Sequence, residues 1–152
     1  MRVLALAVLL SGCSLVGGGS AEVGVLVALP AAGTGLDVEV TLDRRAVPLT
    51  PLPTTGDVTL FAQPVSAKAG PTPVACTVSG RGAASAVTTT LDVQEDWTYS
   101  LRCVAQPTDP TDGCFGCSAS TSAALDPALG LPEGDRLWLY WTGSPEGTDV
   151  LY

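Results

Sequence analysis

Cys114-Phe115-Gly116-Cys117 is the stretch of this sequence with the most chemistry to offer. Two thiols separated by two residues serve as a redox-active dithiol or as half of a zinc site. Redox enzymes place the first of them at a helix N-terminus, where the thiolate is stabilised. Here Pro107 to Gly113 is dense in turn residues, and Ser118-Ala119-Ser120 follows with no amphipathic helical pattern. The strand–helix–strand setting of that chemistry is missing. A four-thiolate zinc site needs a second close pair, whereas Cys76 and Cys103 stand far apart in the chain. The plainest expectation is a loop closed on itself. A four-residue turn brings its ends within about 7 Å, a span that a disulfide accepts. A thiol–disulfide redox protein acting through Cys114 and Cys117 is the alternative function.

The other chemical constellations are poorer. The sequence has no histidine. That removes Ser–His–Asp and Cys–His catalysis and any histidine-ligated metal. Serines and threonines are plentiful, but no Ser-x-x-Lys pattern activates one. Gly17-Gly18-Gly19 lacks the strand and helix that flank a phosphate loop. Residues 92–152 carry ten acids and two bases, and the formal charge of the whole chain is −8. Nucleic acid needs a basic footprint, so it is disfavoured as a partner. The acids cluster in turns such as Thr108-Asp109-Pro110 and Glu133-Gly134-Asp135, where aspartate is at home. A calcium-binding adhesion module is the functional counterpart, but no spacing matches an EF-hand loop. We expect no enzyme, no cofactor and no metal.

The N-terminus is more specific. Met1-Arg2 is followed by the unbroken apolar run Val3 to Leu10. Eight helical residues span about 12 Å, against about 30 Å of bilayer hydrocarbon. The run has the length of a signal-peptide core and not of a membrane span. Leu10-Ser11-Gly12-Cys13 then resembles the lipobox of bacterial lipoproteins: an apolar residue, two small ones and a cysteine. The resemblance covers residues 1–13. It implies diacylglyceryl transfer to the Cys13 thiol and cleavage between Gly12 and Cys13. Small Ser11 and Gly12 leave the backbone open to a protease. Two or three acyl chains anchor stably, where one is marginal. Ser14 after the cysteine, in place of aspartate, implies the outer membrane in a cell that has one. Ser14 to Ala21 reads as a Gly-rich tether with an r.m.s. reach of about 16 Å. The expected division is 1–12 signal peptide, 13–21 lipidated cysteine and tether, and 22–152 folded domain.

Lipidation of Cys13 leaves four cysteines, an even number that fits two disulfides in an exported domain. Cys76 and Cys103 lie on apolar faces of expected strands, so Cys76–Cys103 with Cys114–Cys117 is the favoured pairing. The alternative ties both strands into the Cys114–Cys117 loop. Two core cysteines beside an aromatic partly resemble the immunoglobulin-like sandwich. The cysteine separation here is shorter, and Trp97 precedes the second cysteine instead of following the first. The likeness is to an architecture and implies no function.

The elements that must position these residues repeat with period 2. Leu36, Val38, Val40 and Leu42 share a face. Val58 and Leu60 share one, as do Val74, Cys76 and Val78. Val87, Thr89, Leu91 and Val93 form another, and Trp97, Tyr99, Leu101 and Cys103 the strongest. Leu137 to Trp141 is apolar on both faces, which suits a covered strand or a docking edge. Trp138, Tyr140 and Trp141 there are either core or a stacking platform for a sugar or peptide. Pro/Gly clusters at 48–56, 70–73, 80–82, 107–113 and 143–147 punctuate the pattern. Ala123 to Leu131 is the one helix candidate, and Pro127 limits it to a short turn. The expected fold is all-β: a single small antiparallel sandwich of immunoglobulin-like architecture. The expected function is a lipid-anchored bacterial envelope protein whose sandwich is a non-catalytic binding or structural module. Its partners would be the membrane, through the lipid, and an envelope protein or glycan.

Overall fold

The alternating segments become strands because each buries one apolar face and leaves the other polar. The computed structural model describes residues 19–145. The signal-peptide, cleavage and Cys13 lipidation readings, and most of the tether, lie outside them. Among the described residues ten strands form in chain order: β1 (Ser20–Leu29), β2 (Asp37–Leu42), β3 (Arg45–Ala46), β4 (Thr50–Leu52), β5 (Val58–Lys68), β6 (Gly70–Gly80), β7 (Ala83–Val93), β8 (Trp97–Gln106), β9 (Thr121–Ala124) and β10 (Arg136–Pro145). Helical structure among the described residues is confined to 3-10 turns at Ala31–Gly33 and Pro127–Leu129. The second fits the short turn expected around Pro127. The Asp126 side chain caps it by accepting from the Ala128 N–H.

Two sheets pack face to face, a β-sandwich. The larger has the order β4-β5-β1-β8-β10-β9 and the smaller β3-β2-β6-β7. Between them lies one core. It takes Val23, Val27, Leu101, Leu137 and Leu139 from the larger sheet and Val40, Val74, Val78 and Leu91 from the smaller, each almost fully buried. The four inward faces expected of β2, β6, β7 and β8 are the faces that line it.

The structure departs from the sequence expectation in several places, among them β4, which lies inside the Pro/Gly cluster 48–56. The sheets are not wholly antiparallel, because β1 runs parallel to β8, with Glu22 beside Thr98 and Ala28 beside Val104. The first strand starts at Ser20, and Ala21 is buried, so the sheet begins inside the segment read as tether. The Gly70–Pro73 cluster is no interruption. A single residue, Ala69, separates β5 from β6, and the chain passes there from one sheet to the other. Gly143 likewise lies within β10, not in a turn.

Local devices accommodate the awkward residues. Pro64 lies inside β5 where the register with β1 slips, Val23 opposite Val65 but Val25 opposite Ala62. A bulge is where a strand tolerates proline. Asp43-Arg44 and Arg81-Gly82 form two-residue hairpin turns with positive φ at all four positions. Arg81 then reaches out from its hairpin tip. Its guanidinium donates to the carbonyls of Leu129, Ala32 and Thr34, joining both 3-10 segments to the smaller sheet. The β7–β8 corner is tied by Tyr99. Its hydroxyl accepts from the Gln94 N–H at 2.8 Å and donates to the Asp92 carbonyl at 3.3 Å. Its ring stacks on Trp97, with centroids 6.0 Å apart. It also lies across Gly143, its cross-strand partner, where a Cβ would sit 2.6 Å from two ring carbons.

Candidate functional site

Both disulfides form in the favoured pairing. Cys76 on β6 joins Cys103 on β8, with Cα atoms 6.6 Å apart. The bond therefore crosses between the sheets, and both residues are buried. Cys114 joins Cys117, with Cα atoms 5.7 Å apart. Gly116 takes φ +80° between them, a conformation open to glycine that turns the chain back on itself. The two pairs are separate structures: one is core, the other lies on the surface.

The surface pair sits in the long connection from β8 to β9, which is held at several points. At its start, the Gln106 carbonyl accepts from the Trp138 indole N–H at 2.9 Å, and the Gln106 side-chain amide donates to the Thr108 carbonyl at 2.7 Å. In the middle, Asp109 gathers three donors on one oxygen: the Thr111 N–H at 2.9 Å, the Thr111 hydroxyl at 2.7 Å and the Ser120 hydroxyl at 2.8 Å. The last of these closes the loop across its base. At the far end, Cys117 bridges Thr142 of β10. Ser118 and Trp141 exchange bonds, N–H to carbonyl at 2.8 Å one way and N–H to hydroxyl at 3.0 Å the other. At the tip, Phe115 is fully exposed, at 102% of its reference area.

Those three hydrogen bonds hold the Asp109 carboxyl below its ordinary value of 3.8; the Thr111 N–H contributes most, then the Thr111 hydroxyl, then that of Ser120. A depressed folded value means the carboxylate stabilises the folded loop at pH above 3.8. That contribution disappears as the pH falls through the folded value. An NMR titration of the side-chain carboxyl is expected to give a midpoint below 3.8, and Ser120→Ala is expected to raise it. A midpoint at or above 3.8 in the unaltered chain would show that the hub is not formed.

No lysine or arginine lies in residues 107–120, and the Cys114–Cys117 turn does not open a helix. Among the described residues, no three metal-ligating side chains converge. The aromatics of β10 do not make a three-ring platform. Trp138 and Tyr140 point to the outer face of the larger sheet, and Trp141 to the inner one, where it packs against the core. That outer face mixes apolar and charged side chains. Phe61, Leu26, Arg102 and Tyr140 follow one another in register across it. The Arg102 Nε is buried there without a hydrogen bond.

No protein-family model, curated protein or solved structure matches this chain. The sites therefore rest on the residues themselves. The sequence placed Asp109 only among acidic turn residues and did not single out Phe115. Asp109-Pro110-Thr111 carries a usable signal, an aspartate two residues before a threonine, which is an Asx-turn pattern. Phe115 carries none, because an apolar side chain between two cysteines reads equally well as core.

Proposed function

We propose that this chain is a lipid-anchored bacterial envelope protein whose β-sandwich is a non-catalytic binding module, with the Cys114–Cys117 loop as its contact tip. The anchor rests on Leu10-Ser11-Gly12-Cys13. The observation that carries the binding reading is Phe115, fully exposed on a loop held by a disulfide, the Asp109 hub and the Ser118–Trp141 exchange. An aromatic on a held loop loses little conformational entropy on docking. Burying it in a partner contributes about 1.5–3 kcal/mol. The ligand class is an envelope protein with an apolar cleft or a glycan that offers the C–H face of a sugar ring.

The anchor is tested by intact mass of the protein extracted from bacterial membranes and alkylated without reduction. The expected species starts at Cys13, carries a diacylglyceryl increment and takes up no alkylating agent. An unlipidated chain overturns the anchor. The non-catalytic part is tested by insulin reduction. Activity that disappears on Cys114→Ser replaces it with the redox reading.

A further inference from the structure

We propose that two copies of this chain join edge to edge through β7, antiparallel, about a two-fold axis at Thr88. The inference stands apart from the lipid anchor and from Phe115.

A sandwich of two open sheets has four edge strands, here β4 and β9 on one sheet and β3 and β7 on the other. Open edges invite strand pairing, and proteins blunt them with short strands, prolines or basic residues. Three of the four are blunted. β4 is three residues with Pro51 at its centre. β3 is two residues, and Arg45 is one of them. β9 is four residues. β7 is the exception: eleven residues with no proline, lysine or arginine. It is paired to β6 from Gly80–Ala83 to Gly70–Val93 without a register shift.

The hairpin geometry fixes which backbone groups are free. A two-residue turn makes Gly80 and Ala83 the hydrogen-bonded closing pair, and bonded and non-bonded pairs alternate from there. Ala84, Ala86, Thr88, Thr90 and Asp92 therefore direct their N–H and C=O groups outward. All five are exposed. Among the described residues, none of their N–H groups donates to backbone beyond the sheet. The segment after the long loop packs against the inward side instead, where Thr121 meets Thr89 and the Asp126 N–H donates to Ser85.

A second copy suits this edge by its own composition. With Thr88 opposite the second copy's Thr88, Ala86 faces Thr90 and Ala84 faces Asp92. The single charge of the strand thus meets alanine and never its like. The small Ala and Thr side chains let the two strands lie flush. The contact is isologous and closes on itself. The merged sheet then ends at both sides on β3 and on the short β2 beyond it, which carries Asp37 and Glu39, so growth stops at two copies.

The test is disulfide trapping in the full chain, in whole expressing cells and under mild oxidation. Cα atoms of a hydrogen-bonded antiparallel pair lie about 5.5 Å apart, within disulfide reach. Thr88→Cys is expected to shift to twice the monomer mass on a non-reducing gel. Glu39→Cys, on the exposed face of β2, is expected to stay monomeric. Ala86→Cys and Thr90→Cys on separate copies are expected to link to each other, and adding Thr88→Lys to that pair is expected to abolish the link. Three results would overturn the proposal. One is a Thr88→Cys monomer whose thiol reacts with maleimide as fast as that of Glu39→Cys. Another is equal linking at both positions, which marks random collision. The third is a Thr88→Cys chain whose new thiol is protected but unlinked, which means that a strand from a different protein holds the edge.

Discussion

Replacing Cys76 and Cys103 together by alanine is expected to lower the stability of the sandwich by about 3–4 kcal/mol. The bond closes a loop of sequence separation 27, so its loss frees the unfolded chain substantially. It also lies where the sheets meet. Cys76 stands between Val40 and Val87 in register, and Cys103 between Val27 and Leu139. Alanine is the right replacement, because serine would bury hydroxyls without partners. The matched control is Cys114→Ala with Cys117→Ala. Their separation is only 3, and the same chain-entropy relation gives about 2 kcal/mol. Urea unfolding of both double variants checks the order. A core variant that loses no more than the loop variant would mean that sheet packing alone closes the sandwich.

The second large effect belongs to Tyr99. Tyr99→Ala is expected to cost about 3–5 kcal/mol, as for other buried aromatics cut to alanine. Tyr99→Phe keeps the ring, and is expected to cost about 1–3 kcal/mol by leaving the part-buried Gln94 N–H without its acceptor. The pair of variants separates two roles of one residue. The ring fills the space above Gly143 and beside Trp97. The hydroxyl fixes the corner where the chain leaves the smaller sheet for the larger. Equal stability of Tyr99→Phe and the unaltered chain would assign the corner to ring packing alone. Chemical denaturation with both variants measures it.

Within single strands the sequence was a sound guide. Val38, Val40 and Leu42 line the core, as do Tyr99, Leu101 and Cys103, because period 2 is a property of one strand and needs no knowledge of its neighbour. Pairing is a different matter. Nothing in Val23 to Leu29 says that its neighbour is β8, or that the two run in the same direction. Ser20 reads as tether because its neighbours are glycine, yet its carbonyl accepts from the Asp96 N–H. Gly70 and Pro73 read as a break because their usual role is to stop strands, while here a strand runs through them. The candidate site was half legible. Spacing alone yielded the Cys114–Cys117 bond. The exposure of Phe115 depends on where the ends of its loop are fastened, at Gln106 and Thr142, and that is a tertiary fact.

The parallel pairing of β1 with β8 also sets an order of events. A chain that emerges N-terminus first offers Ser20–Leu29 early, but one of its two sheet neighbours, Trp97–Gln106, arrives far later. Until then β1 has only β5 beside it, and its second edge stays open to other chains. The small sheet suffers no such delay, because β6 and β7 form a hairpin from adjacent sequence. Contacts between distant segments are slow to form. The rate-limiting step should therefore be the docking of β8 onto β1, and until it occurs the open edge of β1 is exposed to aggregation.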